Sequence, residues 1–115
     1  MGDMGVIKRV GAGLLLAAAI GGGPALASSQ NSGMASSIST GSDGNVWFSH
    51  DGARSGTLPS CAASNGLWVF NVGTPAGQAM LANLLAATAA GHKVSIQGTG
   101  TCIGDHEAVA YIVGL

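Results

Sequence analysis

Charge is scarce in this chain. Lysine and arginine number four and acidic residues five, and only 8% of positions are charged. So few cations leave no basic surface for nucleic acid or anionic lipid, and a net charge of -1 produces no strong field of either sign. Aromatic residues are equally sparse: two tryptophans, two phenylalanines and one tyrosine must serve both a core and any stacking surface. There are three prolines and two cysteines. Two distant thiols are too few ligands for a metal site. The longest apolar stretch, Val10 to Ile20, spans about 16 Å as a helix against a hydrocarbon core of roughly 30 Å, which argues against a permanent membrane anchor.

The beginning of the chain has an order of its own. Lys8 and Arg9 precede the apolar run, and Gly21-Gly22-Gly23-Pro24-Ala25-Leu26-Ala27 follows it. A positive segment, an apolar segment and a small-x-small motif in that order predict an export signal over residues 1–27. Ser28, not cysteine, comes next, so no lipid-modified amino terminus is implied. The expected mature chain starts at Ser28 and is secreted or periplasmic, with no membrane attachment after cleavage. It keeps Arg54 and Lys93 against Asp43, Asp51, Asp105 and Glu107.

A domain this small has a marginal core, and Cys61 and Cys102 can staple it. Two cysteines permit one intramolecular pairing, and an oxidising compartment favours the disulfide over a catalytic thiol. The loop that it closes is worth on the order of 4 kcal/mol in the chain-entropy description.

Residues 28–41 are rich in Ser, Gly and Asn and read as a flexible leader, with Met34 and Ile38 able to form a first strand. Asp43-Gly44 is a hairpin turn signal, and Val46 to Ser49 alternates as a strand with Val46 and Phe48 opposite Trp47 and Ser49. Residues 51–60 read as loop, and Leu67 to Phe70 as a strand. Thr74-Pro75 opens a helix predicted to reach about Ala90, with Met80, Leu81, Leu84 and Leu85 as its apolar stripe and Gly91 as its stop. Lys93 to Gln97 and Ala108 to Val113 are the last predicted strands, the latter with Val109, Tyr111 and Val113 on one face.

These residues resemble a known group. Pro59-Ser60-Cys61-Ala62, Trp68-x-Phe70, Thr74-Pro75-Ala76-Gly77-Gln78, Gly98-Thr99-Gly100-Thr101-Cys102 and Glu107-x-Val109-x-Tyr111 are similar to small exported bacterial proteins related to the B subunit of subtilase cytotoxin. The resemblance covers about residues 42–115. It implies a mainly β, five-stranded OB-fold-like barrel with the helix between the third and fourth strands, a Cys61–Cys102 bond, and glycan binding by a homo-oligomer. The predicted strand order is independently compatible with that fold.

No residue set demands catalysis, and neither a metal nor another cofactor is implied. Ser49-His50-Asp51 has triad residue types, yet strand neighbours point to opposite faces. Asp105-His106-Glu107 reads as an exposed turn before it reads as a cation site. Gly98-x-Gly100 precedes no helix that could hold a phosphate and reads as a tight turn beside Cys102. His92 reads as a polar helix end. The binding candidates are therefore Trp47 and Trp68, with Ser49, His50 and Asp51 beside them, and alternation places Trp47 outward more readily than its companion. A glycan-binding module is the first expectation; a secreted protein-binding or inhibitor module is the second, and a small hydrolase the third.

Overall fold

The structure, a computed structural model, describes residues 27–62 and 66–115; all but the last residue of the predicted export signal lies outside the described residues. Among these, the elements run β1 (Ser28–Gly33), β2 (Ala35–Thr40), β3 (Asn45–His50), β4 (Arg54–Gly56), β5 (Trp68–Asn71), α1 (Pro75–Ala90), β6 (Val94–Ile103) and β7 (His106–Gly114). The strands form one mixed sheet in the order β2-β3-β5-β7-β6-β1-β4, antiparallel except where β5 meets β7. The described residues are thus mainly β with one helix and a Cys61–Cys102 disulfide. The sheet has seven strands and is not a closed barrel, which departs from the five expected. Two local events account for the difference. The leader splits at Met34 into β1 and β2, and Arg54–Gly56, inside the predicted loop, adds an edge strand to β1.

Residues 28–33 are therefore strand rather than flexible leader. Ser28 and Gln30 turn their side chains inward, which fixes this stretch despite its polar composition. Only Met34 separates β1 from β2, yet the first pairs with β6 and the second with β3. The sheet curls as a result. Asp51 N donates to Met34 O at 3.1 Å, and His50 Nε2 meets Val94 O at 2.8 Å, tying β3 to β6 across that curl. Ser32 and Ser37 take positive φ values of 50° and 54°, each at a register shift, so both strands carry a bulge that bends them.

The β2–β3 hairpin turns where Asp43-Gly44 predicts. Gly44 takes φ +86°, and Asp43 Oδ1 accepts from Asn45 N at 3.0 Å. Helix α1 begins with Thr74 Oγ1 accepting from Gly77 N at 3.1 Å, and Pro75 occupies the first turn, where its missing N–H costs nothing. Gly91, at φ 70°, ends it. The helix contributes fully buried Leu84 to the core cluster of Val46, Phe48, Trp68, Phe70, Val94, Ile96 and Val109, against which Met80, Leu81 and Ala87 also pack. Phe48 and Phe70 meet edge to face at 6.0 Å.

Two predicted faces are corrected. Leu85 is 48% exposed, since the helix contacts the sheet through a narrow stripe. Val109 is core, whereas Tyr111 and Val113 are exposed, because the register with β6 shifts between Gln97 and Gly98: Gln97 faces Tyr111 but Gly98 faces Val109. The additional residue, Ala110, inverts the alternation and turns Ile112 onto the core.

Candidate functional site

Trp47 lies on the sheet face opposite Val46 and Phe48 and is partly exposed. The pleat puts Asn45 and Ser49 on its own face. Register adds Ser39 of β2 and the fully buried Val69 of β5 on either side of Trp47, and Asn71 of β5 opposite Asn45. The far edge of the indole lies over Gly41, where an added Cβ would come within 2.8 Å of both the ring and Asp43 Oδ1. Asn71 Nδ2 donates to Asn45 Oδ1 at 2.9 Å and to Asp43 O at 3.1 Å, and its Oδ1 accepts from Gly73 N at 2.7 Å. The arrangement is an aromatic platform with Val69 packed on one side and amides, hydroxyls and one carboxylate along the rest of its face.

Of the predicted binding residues, only Trp47 and Ser49 share this face. Asp51 is exposed, and its Oδ1 accepts from Met34 N at 2.7 Å. His50 is buried among backbone groups: Nε2 faces Val94 O and Nδ1 accepts from Gly52 N at 3.0 Å, an arrangement that specifies the Nε2–H tautomer. The three therefore do not converge as a triad. Trp68 is also interior, with no exposed surface. Asn45, Asn71 and Asp43 are absent from the sequence-based set. The period-two alternation that selects Trp47 equally selects Asn45, whereas Asn71 joins only through the pairing of β5.

The interior contains a second polar cluster. Glu107 is fully buried on β7, opposite Trp68 of β5, so it is not part of an exposed turn. Its carboxylate accepts from Ser28 N at 3.0 and 3.3 Å, from Gly100 N at 3.1 Å and from the Ser28 hydroxyl. Arg54 stands 3.9 Å away, beyond hydrogen-bond reach, and donates instead to Ser28 Oγ at 2.7 Å, Gly66 O at 2.9 Å and Gln30 Oε1 at 3.3 Å. Its guanidinium lies 4.4 Å from the centre of a Trp68 ring, whose Nε1 donates to Gln30 Oε1 at 2.7 Å. The Gln30 amide nitrogen completes the set with His50 O and Gly52 O. Burial pushes the Arg54 guanidinium below its ordinary range while Glu107 raises it, and the group stays charged at any working pH.

Gly98 belongs to this cluster. A Cβ there would sit 1.9 Å from Glu107 Oε2, so the glycine makes room for a carboxylate inside β6 instead of making a tight turn. The turn comes later, at Gly104-Asp105. Asp105 Oδ1 and His106 Nε2 are 3.3 Å apart, but Asp105 is exposed and Glu107 points inward. Among the described residues no group of three His, Cys, Asp or Glu side chains could hold a metal ion. Nor is any described helix long and apolar enough to cross a membrane.

Comparison with known proteins returns no matching family model, no matching curated protein and no matching solved structure.

Proposed function

We propose that this protein is an exported, non-enzymatic binding module that takes a glycan on the Trp47 face, in the manner of the cytotoxin B subunits that its motifs resemble. The observation that carries the reading is a partly exposed indole, paired with Ser39 and with buried Val69, that shares its sheet face with Asn45, Ser49 and Asn71 and lies over Gly41 beside Asp43. Sugar rings present C–H faces to an aromatic plane and hydroxyls around their rim; amides, hydroxyls and a carboxylate suit that rim. The curled sheet, with β1 and β2 halves of one bent strand, is read as an OB-like framework that presents the platform on a rigid hairpin.

A second reading rests on a separate observation. Tyr111 and Val113 are 55% and 43% exposed on β7, and Leu115 borders an open groove of about 410 Å³ between the helix and the end of that strand. These apolar groups suit a protein partner or another copy of the chain.

Glycan-array binding and solution mass, measured on protein purified from an exporting host, separate the two. The expected result is binding that Trp47→Ala weakens at least about tenfold, equivalent to ~1.4 kcal/mol, with the melting curve retained. Absence of any glycan signal, or binding untouched by Trp47→Ala but lost on Tyr111→Ser, would transfer the function to the β7 face.

A further inference from the structure

We propose that the chain is processed at the Ala27–Ser28 peptide bond and that the freed α-ammonium of Ser28 becomes the hydrogen-bonded cation of the buried Glu107. The inference rests on the export reading above and adds a structural role for the new terminus. In the cleavage, an endopeptidase of the export machinery adds water across the bond: the C–N bond breaks, Ala27 takes the hydroxyl as its carboxylate, and Ser28 nitrogen takes the hydrogen and then a proton.

Three observations converge on this atom. The small-x-small motif Ala25-Leu26-Ala27 places the cut immediately before Ser28. The Ser28 nitrogen lies within hydrogen-bond distance of both Glu107 oxygens, at 3.0 and 3.3 Å. A peptide N–H has one proton to divide between two acceptors; an ammonium has three. Finally, Glu107 is fully buried, yet among the described residues no cationic group donates a hydrogen bond to it: Arg54 is 3.9 Å away and donates to Ser28 Oγ, Gln30 Oε1 and Gly66 O. A cation hydrogen-bonded to the carboxylate would compensate its burial more fully than Arg54 at 3.9 Å does alone. Among the described residues the charged groups against Ser28 are Glu107 of β7 and Arg54 of β4, and β6 brings the Gln97 amide and backbone.

Processing must also come first. Ser28 is fully buried and paired with Gly56 of β4, and partly buried Ala27 accepts at its O from Thr57 N at 3.1 Å, so a protease could reach the bond in the formed sheet only by parting β1 from β4. Cleavage thus acts on the unfolded chain, and folding then seals the new terminus inside.

The full chain, produced in an exporting bacterium, provides the test. Its intact mass is expected to correspond to a start at Ser28. A cut at another bond overturns the proposal and leaves export standing; an uncut chain retained in the cytoplasm overturns the export reading as well. The mature chain has two primary amines, the α-amine and Lys93, and Lys93 is exposed. At neutral pH an amine-reactive reagent ordinarily favours the less basic α-amine. Native protein is expected to label at Lys93 and to label at Ser28 about tenfold or more slowly than in urea, since reaction there requires opening of the sheet. Equal labelling of both amines in the native state overturns the ion pair while leaving the cleavage site intact.

Stability against pH gives an independent reading. An α-amine titrates at about 7.7–8.0 when unfolded, and pairing with a carboxylate raises its folded value. Its contribution is complete below the unfolded value and is lost as pH rises through the folded one. The urea midpoint is expected to fall across that alkaline range in the wild type and to stay flat in Glu107→Gln. A midpoint with the same alkaline slope in both proteins overturns the pairing.

Discussion

Glu107 shows how a single residue can be misjudged from its neighbours. Next to Asp105 and His106 it reads as part of a solvated turn, and nothing nearby signals that its side chain enters the core beside Trp68. Its signature lies instead at Gly98, the position that clears space for it. Gly98→Ala is expected to destabilise the fold by roughly 2–3 kcal/mol, the upper range of overpacking, because the backbone on one side and a hydrogen-bonded carboxylate on the other cannot both move. Urea unfolding measures this directly, and a loss below about 0.5 kcal/mol, the level of an ordinary surface change, would show that the carboxylate relocates freely. Arg54→Lys tests the same cluster from its cationic side. Lysine keeps the charge but not the fork that reaches Ser28 Oγ, Gln30 Oε1 and Gly66 O from a position over the Trp68 ring. The expected cost is about 1–3 kcal/mol, and a lysine variant as stable as wild type would reduce those contacts to bystanders.

At the scale of elements, legibility follows how local the determinant is. Helix α1 is written in its own residues: Thr74 caps it, Pro75 opens it and Gly91 closes it. The hairpin of β2 and β3 is likewise announced by Asp43-Gly44. Thr74→Ala removes the acceptor for Gly77 N and is expected to lower stability by about 1 kcal/mol; Thr74→Ser, which retains the oxygen, is expected to restore most of it in the same thermal melts. Equal losses in both variants would assign Thr74 a role other than capping. By contrast, the faces of β7 depend on Ala110 being additional relative to β6, and β1 depends on Gln30 finding Trp68, Arg54 and two carbonyls. A stretch of Ser, Gln, Asn and Gly carries no apolar alternation, so its conversion into strand can be seen only from its partners. The Trp47 site divides in the same way. Trp47, Ser49 and Asn45 follow from one strand's pleat, whereas Ser39 and Asn71 arrive through register.

For the whole molecule, composition identifies what closes the fold without specifying the sheet it closes. The two cysteines have one intramolecular pairing available, and Cys61 and Cys102 are joined across 41 positions. That loop contains β5, α1 and most of β6, hence Trp68, Phe70, Leu84, Val94 and Ile96 of the core. Linking its ends restricts the unfolded chain by about 4 kcal/mol in the chain-entropy description, a large fraction of the 5–15 kcal/mol typical of domains. The double variant Cys61→Ser/Cys102→Ser is therefore expected to lose about 2–4 kcal/mol and to melt roughly 10–25 °C lower. Kinetics identifies the origin of the loss. If the crosslink acts by restricting the unfolded ensemble, its removal slows folding much more than it speeds unfolding, because native contacts of the loop remain to be assembled from a freer chain. Paired folding and unfolding rates in urea, on oxidised wild type and on the double variant, decide the matter. A loss confined to the unfolding rate would place the bond's contribution in the native packing around Cys102, and a total loss below about 1 kcal/mol would mean that the core between the two cysteines holds without its staple.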